Sequence, residues 1–405
     1  MTLPPPPIPL EDLARYPLPG FTAPDAFAFS PDDRLVTCLF SPEHSLVRQL
    51  YACDTATGER RLLLTPPGSG ALEENLSREE KLRRERQRML TLGVTHYAWA
   101  NQGNRLLAPL PDGLYVQDGE GAPLRKVVDT ANAAPALDPR FSPDGELIAY
   151  MQTDEIWLVP ARGGPARQLT HGAHAAGRTH GLADYIAQEE MGRQQGYWWS
   201  PQGDWIAFEE VDESHIPLYH IVHQGKDFED APVEEEHRYP FAGKANPHVR
   251  LGVIPTAGDQ VTWLDLGPEP DIYLARAGWL PDGRPWAQVE NREQTSLDLL
   301  IFDPHTGQAQ RLLHETSAVW INLHDMFHPL KEGAYAGGFI WGSERTGFRH
   351  LYLYDAAGNL VRPLTGEPYD AGEWQVDELC AVDEGRGLVY FTASKDSPLE
   401  HHLYA

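Results

Sequence analysis

The sequence predicts an all-β fold, a β-propeller of about seven recognisable blades with short helical insertions and an incomplete last blade. The first observation is a repeated aromatic residue followed by a polar or proline turn. It occurs as Phe29-Ser30-Pro31-Asp32-Asp33, Trp99-Ala100-Asn101-Gln102-Gly103, Phe141-Ser142-Pro143-Asp144-Gly145, Trp199-Ser200-Pro201-Gln202-Gly203 and Trp279-Leu280-Pro281-Asp282-Gly283. The second is the succession of strands after most copies: an alternating strand such as Leu147-Ile148-Ala149-Tyr150, another such as Ile156-Trp157-Leu158-Val159, a Gly-containing turn, and Ala166-Arg167-Gln168-Leu169-Thr170. That is a four-stranded blade, and a period of about 40–45 residues, lengthened by insertions, is the propeller spacing. The third is composition: 41% apolar residues with 11 Trp supply a large core, while 36 Gly and 35 Pro punctuate the chain throughout.

In chain order, residues 1–23 form a Pro-rich segment. Met1-Thr2-Leu3 leads into prolines rather than into the charged start and apolar core of a secretion signal. Residues 24–405 form the propeller, with helical insertions near 77–92 and 182–192. In the first insertion, Ser77 and Glu80 make a capping box and Gly93 a stop, so a helix is predicted from Arg78 to Leu92. Its charges lie on every side, so it has no apolar stripe to bury. Pairs such as Glu79 with Arg83 and Glu80 with Arg84 support it, and it is expected to be mobile. Degenerate repeats around Tyr335 to Leu364 and Leu388 to Tyr404 complete the count, the last ending in mid-blade.

The second insertion carries chemistry. Asp184-Tyr185-Ile186-Ala187-Gln188-Glu189-Glu190 places two adjacent carboxylates on a short helical segment before the aromatic run Gly196-Tyr197-Trp198-Trp199-Ser200-Pro201. A protonated amine offers three donors, and two carboxylates accept two of them in charge-assisted bonds. Neighbouring helix positions point about 100° apart, so Glu189 and Glu190 converge only where the helix is short or ends, and Gly192 is a suitable stop. The bland alternative is a solvated acidic face. Glu209-Glu210 is a second acidic pair, but on a strand its members face opposite ways and read as structural.

Several classes are excluded. A formal charge of −26 argues against a nucleic-acid partner, which needs clustered Lys and Arg; acidity instead favours solubility and draws cationic peptide termini. No apolar run approaches the roughly 18 residues of a membrane span. Cys38, Cys53 and Cys380 lack zinc or disulfide spacing and read as small buried hydrophobes in a reducing compartment. His171, His174 and His180, and His215, His220 and His223, lack the Cys or carboxylate spacing of a metal site and read as loop and strand residues. Ser343, in Gly342-Ser343-Glu344-Arg345, has no second glycine and reads as a hairpin residue rather than a nucleophile.

With Arg238-Tyr239-Pro240, Ala242-Gly243 and Asn246-Pro247 added, the 184–201 segment resembles the propeller half of the dipeptidyl peptidase IV family of serine exopeptidases. Leu76-Ser77-Arg78-Glu79-Glu80, Trp320-Ile321-Asn322-Leu323-His324-Asp325 and Lys395-Asp396-Ser397-Pro398-Leu399-Glu400-His401-His402-Leu403-Tyr404 narrow it to the intracellular branch of dipeptidyl peptidases 8 and 9. The resemblance implies an eight-bladed propeller type, a cytoplasmic location, and no metal or cofactor. It implies that Glu189 and Glu190 hold the substrate's N-terminal ammonium. It also implies that Arg88 reaches the carbonyl of the penultimate residue, with Arg84 one turn away on the same face. An ammonium fixed at one distance from a nucleophile is a ruler that releases dipeptides, and the resemblance implies cleavage after a penultimate Pro or Ala.

The family's α/β-hydrolase domain, with its Gly-x-Ser-x-Gly elbow, is absent from this sequence. The chain is therefore expected to be the non-catalytic half, a fragment or a split-gene product, whose partners are the hydrolase half and a peptide with a free amine. Exposed strand edges of an incomplete ring favour a homo-oligomer. The alternatives are a standalone peptide- or protein-binding propeller, and the propeller of an endopeptidase or acylaminoacyl peptidase. The glutamate pair argues against the last, since a blocked terminus has no ammonium.

Overall fold

The computed structural model describes residues 8–17, 23–43, 45–68, 70–72, 76, 78–86, 88–222, 234–258, 260–369 and 372–405. Two compact units, Met1–Leu182 and Ala183–Ala405, are described in turn.

The first unit holds three antiparallel four-stranded meanders. They run Asp25–Phe29, Leu35–Phe40, Val47–Asp54 and Arg60–Leu64; then Ala98–Trp99, Arg105–Leu110, Gly113–Asp118 and Arg125–Asp129; then Leu137–Phe141, Leu147–Gln152, Glu155–Pro160 and Arg167–Gln168. Apolar side chains from successive sheets meet face to face: Leu39 and Leu50 with Leu106, and Leu107, Leu114 and Val116 with Ile148 and Val159. This is the blade-on-blade packing that the repeat demands.

In the second unit the strands Tyr197–Trp199, Trp205–Asp212, His248–Pro255 and Thr262–Trp263 pair in that order. Two full meanders come next, Ile272–Trp279 to Ala309–Thr316 and Phe327–Pro329 to Leu360–Pro363, and then a three-stranded sheet of Val376–Asp383, Leu388–Ala393 and His402–Tyr404. Among the described residues the seven successive sheets, the last of three strands and the two-stranded hairpin described below left aside, agree with the predicted repeat. Apolar clusters again fill the space between successive sheets, the first centred on Leu251, Leu274 and Phe302, the next on Leu299 and Trp341, and the last on Leu353 and Val376. A separate hairpin, Leu218–Val222 with Glu234–Arg238, leaves Leu218, Tyr219, Ile221 and Val222 exposed.

The repeated turn has a common mechanism. In the copies at Ser30, Ser142 and Ser200, the hydroxyl accepts from the N–H five residues on, at 3.0, 2.9 and 3.0 Å. The serine N–H returns a bond to the same residue's carbonyl at 2.9 Å in each. The position three after the serine is left-handed in all three, with φ of 57° at Asp33, 73° at Gly145 and 76° at Gly203. Serine closes the hairpin, and the glycine of the motif answers to that backbone.

Four α-helices are present among the described residues: α1 (Leu10–Leu13), α2 (Arg78–Arg86), α3 (Ala173–Ala176) and α4 (Tyr185–Glu190). α2 is shorter than predicted. It stops at Arg86 because the Arg88 N–H bonds Glu85 O at 2.9 Å and the Met89 N–H bonds Arg84 O at 2.8 Å, with Arg88 left-handed at φ 51°. That is a Schellman ending with a non-glycine residue in the special position. Gly93, predicted as the helix stop, lies in the strand Leu92–Gly93, which pairs in parallel with Val47–Asp54. Ser77, the first half of the expected capping box, and the Glu79 side chain of the expected pair with Arg83 lie outside the described residues, as does His223. Glu80 pairs with Arg83 at 3.4 Å.

Candidate functional site

The site is built on α4. Its N-cap is Asp184, whose carboxylate accepts from the N–H of Ile186 at 2.9 Å and of Ala187 at 3.2 Å, satisfying two orphan donors of the first turn. Ala183, Ala187 and Met191, spaced i, i+4 and i+8, form a buried stripe packed against Ala275, with Ile186, Tyr273 and Leu323 around it. Of the helical residues, Tyr185 and Ile186 are half-buried, and exposure begins only at the last two positions. Gln188 is buried and its amide donates to Ala183 O at 2.6 Å. Glu189 and Glu190 occupy the last two helical positions and are exposed. Gly192 comes just after the cap with φ 63°. The helix is thus short and ends at the glutamates, the condition under which adjacent carboxylates can serve one ligand. Their place at the C-terminal end adds the partial negative charge of the terminal carbonyls to their own.

Beneath the helix lies a buried ionic network. Arg193 donates to both oxygens of Glu209, at 2.6 and 3.2 Å, to Leu274 O at 2.9 and 3.1 Å and to Gln195 O at 2.8 Å. Its guanidinium lies 3.6 Å from Asp184, and its N–H bonds Ala187 O at 3.0 Å. Burial pushes the Glu209 carboxyl up to about 7, Arg193 pulling it back and Asp184 adding to the rise. This network joins the start of α4 to the strands Trp205–Asp212 and Ile272–Trp279. Glu210 faces the other way and pairs with Arg250 at 3.2 Å, which stacks on Trp263. The structural reading of Glu209-Glu210 holds.

At the other end of the helix, Arg276 donates to Met191 O at 2.9 Å and pairs with Asp325 at 2.5 Å. Tyr185, the first residue of α4, meets Tyr239 edge-on with ring centroids 5.3 Å apart, and Tyr239 in turn meets Phe241 at 4.9 Å. Sequence reasoning misses these partners. One signal could have found part of the network: Ala207, Glu209 and Val211 share a strand face whose other members are core residues, so Glu209 requires a buried cation. Arg276 and Asp325, 49 residues apart, leave no such trace.

Arg84 and Arg88 belong to the first unit, and Glu189 and Glu190 to the second. Arg84 is buried, and its guanidinium donates to the carbonyl of Thr91. Arg88 is exposed and sits beyond the helix in a left-handed conformation, so the two arginines do not share a helical face as expected. Ser343 is buried at the end of the strand Phe339–Ser343; its hydroxyl donates to Glu315 at 2.5 Å and accepts from Arg345 Nε at 2.9 Å. His180 pairs with buried Glu155 at 2.9 Å, His174 with Asp154 at 2.7 Å and His220 with Glu234 at 2.8 Å. The cysteines correct their reading as buried hydrophobes: Cys38 and Cys53 are half-buried and Cys380 is exposed. Among the described residues no helix is long and apolar enough to cross a membrane.

Successive antiparallel meanders carrying a braced acidic helix define a β-propeller with an anionic platform. The family model for the dipeptidyl peptidase IV (DPP IV) N-terminal region matches residues 97–405, and the chain belongs to that family. It is 32% identical to human dipeptidyl peptidase 8 over 408 residues, covering 81% of this chain and 45% of that protein. It is 27% identical to the probable dipeptidyl peptidase 4 of Aspergillus flavus, covering 66% of this chain and 35% of the relative. The crystal structure of Porphyromonas gingivalis dipeptidyl peptidase 4 superposes with a TM-score of 0.71 at 20% identity, covering 93% of this chain and 51% of that one. That likeness carries the fold. The chain spans about half the length of the curated relatives it matches.

Proposed function

We propose that this chain is the substrate-gating, N-terminus-recognising propeller of a cytoplasmic serine dipeptidyl aminopeptidase that acts after a penultimate Pro or Ala. In this reading Glu189 and Glu190 hold the substrate's ammonium. Arg88 donates to the adjacent carbonyl; a guanidinium suits the task because it stays charged and donates in a planar fork. Arg84, buried and bonded within its own segment, braces that segment and is the second choice for the contact. The nucleophile, with its Asp and His, would come from an α/β-hydrolase half encoded with this chain or apart from it. The observation that carries the reading is the pair of exposed carboxylates at the end of a short helix, fixed from below by buried ion pairs, in a member of the dipeptidyl peptidase IV N-terminal region family.

The test uses the complete enzyme and compares kcat/KM for a dipeptide anilide and its N-acetylated form. Glu189→Ala and Glu190→Ala are each expected to cost about 2–5 kcal/mol of transition-state stabilisation with the free-amine substrate only, the range for truncating one partner of a buried, hydrogen-bonded charge pair, the state the carboxylates reach once bound substrate covers them. Arg88→Ala is expected to cost less. Variants as active as the parent, or a parent indifferent to acetylation, would refute the receptor and favour a standalone peptide-binding propeller.

A further inference from the structure

We infer that Arg276, held by Asp325, is a positioning residue for the ammonium receptor, fixing the end of α4 that carries Glu189 and Glu190. This rests on the receptor reading above but adds two residues that neither the helix nor its acidic motif contains.

The argument begins with what α4 lacks. A helix of six residues is far too short to be stable by its own hydrogen bonds, so its orientation is set by what grips it. At the first end the grip is buried: Asp184 caps the helix, and Arg193 and Glu209 lie beneath. At the second end, where the glutamates are, the Ala187 and Gln188 carbonyls accept from the Arg193 N–H at 3.0 Å and from the Gln194 side chain at 2.9 Å, bonds made within the adjoining chain. Arg276 is different. It reaches in from the strand Ile272–Trp279 and bonds Met191 O, one residue beyond Glu190. It is thus a tie from the sheet to the acidic end of the helix.

Arg276 also poses an electrostatic problem for the receptor, because a cation bonded to the carbonyl one residue beyond Glu190 competes with a substrate ammonium. Asp325 resolves it. Its carboxylate pairs with Arg276 Nε, directing the guanidinium and cancelling its charge, while its own side chain is 82% exposed against 15% for Arg276. A pair held only for stability gains little from a partner so exposed, since surface ion pairs contribute about 0–1 kcal/mol. A neutralised strut beside a cation receptor accounts for both the bond to Met191 and the carboxylate in solvent.

The experiment measures binding of alanyl-prolinamide and of N-acetyl-alanyl-prolinamide to the full chain by calorimetry, with Tm recorded for every variant. Glu189→Gln and Glu190→Gln report on the receptor, and Asp325→Asn and Arg276→Gln on the strut. The expected result is a parent preference for the free amine that the glutamate variants abolish. Asp325→Asn should lower it several-fold at unchanged Tm, an effect that added salt reduces and Asp325→Glu restores. Arg276→Gln should lower it by about tenfold or more, the scale of a misplaced binding group. Because Asp325 is exposed, its substitution decides the matter even if Arg276→Gln fails to fold. If the glutamate variants lose the preference while Asp325→Asn and Arg276→Gln keep it in full, the strut is only structural and the receptor stands. If the glutamate variants keep the preference, or the parent has none, receptor and strut fall together.

Discussion

Glu290 presents the sharpest conflict at the scale of single residues. It lies in the strand Pro285–Asn291, opposite Tyr273 and Leu297. It is fully buried, and neither carboxylate oxygen has a hydrogen-bond partner among the described residues. Burial pushes its carboxyl from 4.5 up to about 7. A folded pKa above the unfolded one means that the native state holds the proton more tightly. The favourable contribution is therefore complete below about 4.5 and is lost as pH rises through about 7. Glu290→Gln keeps the shape and removes the titration. It is expected to exceed the parent in stability by on the order of 3 kcal/mol at about pH 8, the gap closing near pH 4.5. Urea unfolding of the two proteins across this range checks it, since oppositely titrating groups such as His324, pushed down to about 4 by burial, cancel in the difference. A gap that does not change with pH would show that Glu290 is charged and solvated in the native chain.

At the scale of elements, the blade turn and the helix ending show what sequence reveals and what it hides. The turn was legible because its chemistry is local. Serine, a turn former and glycine at fixed spacing close one hairpin whatever surrounds them, and the aromatic before them marks a strand. Gly145 tests this directly. Its φ of 73° is left-handed, and an added Cβ would stand 3.0 Å from Ala100 Cβ and 3.3 Å from Gln102 O. Gly145→Ala is expected to cost about 1–2 kcal/mol from the backbone alone, read as a lower urea midpoint with unchanged far-ultraviolet circular dichroism. The end of α2 was illegible for the converse reason. Gly93 has the look of a stop, yet it is required by a strand, where a Cβ would collide with the carbonyl oxygen of Arg48, while Arg88 takes the left-handed cap. Replacing Arg88 with glycine should therefore stabilise the helix ending by a few tenths to about 1 kcal/mol even as it removes the proposed carbonyl contact. A variant both more stable and less able to bind substrate would separate the two roles.

At the scale of the whole molecule, periodicity and charge were visible in the sequence, while the partners of the site were not. Repeats announce a propeller because each blade must bury its faces against its neighbours, which forces the same apolar pattern to recur. The supports of the proposed receptor come instead from elements outside the helix, Glu209 and Leu274 on strands under one end of α4, and Arg276 on a strand with Asp325 on a loop at the other, and no local spacing ties them together. The net charge of −26 acts on everything at once, and it predicts two salt responses of opposite sign. Self-repulsion disfavours the compact state, so screening should stabilise it. As ionic strength rises from about 0.01 M to about 0.1 M the Debye length shrinks from about 30 Å to about 10 Å, and Tm is expected to rise. The same screening weakens attraction between an acidic platform and a cationic terminus, so affinity for a free-amine dipeptide should fall over that range while its acetylated form is indifferent. Calorimetric titration and thermal unfolding in one salt series test both. If affinity and Tm moved together, salt would be acting through folding, and the carboxylates of α4 would not be contacting the charge of the peptide.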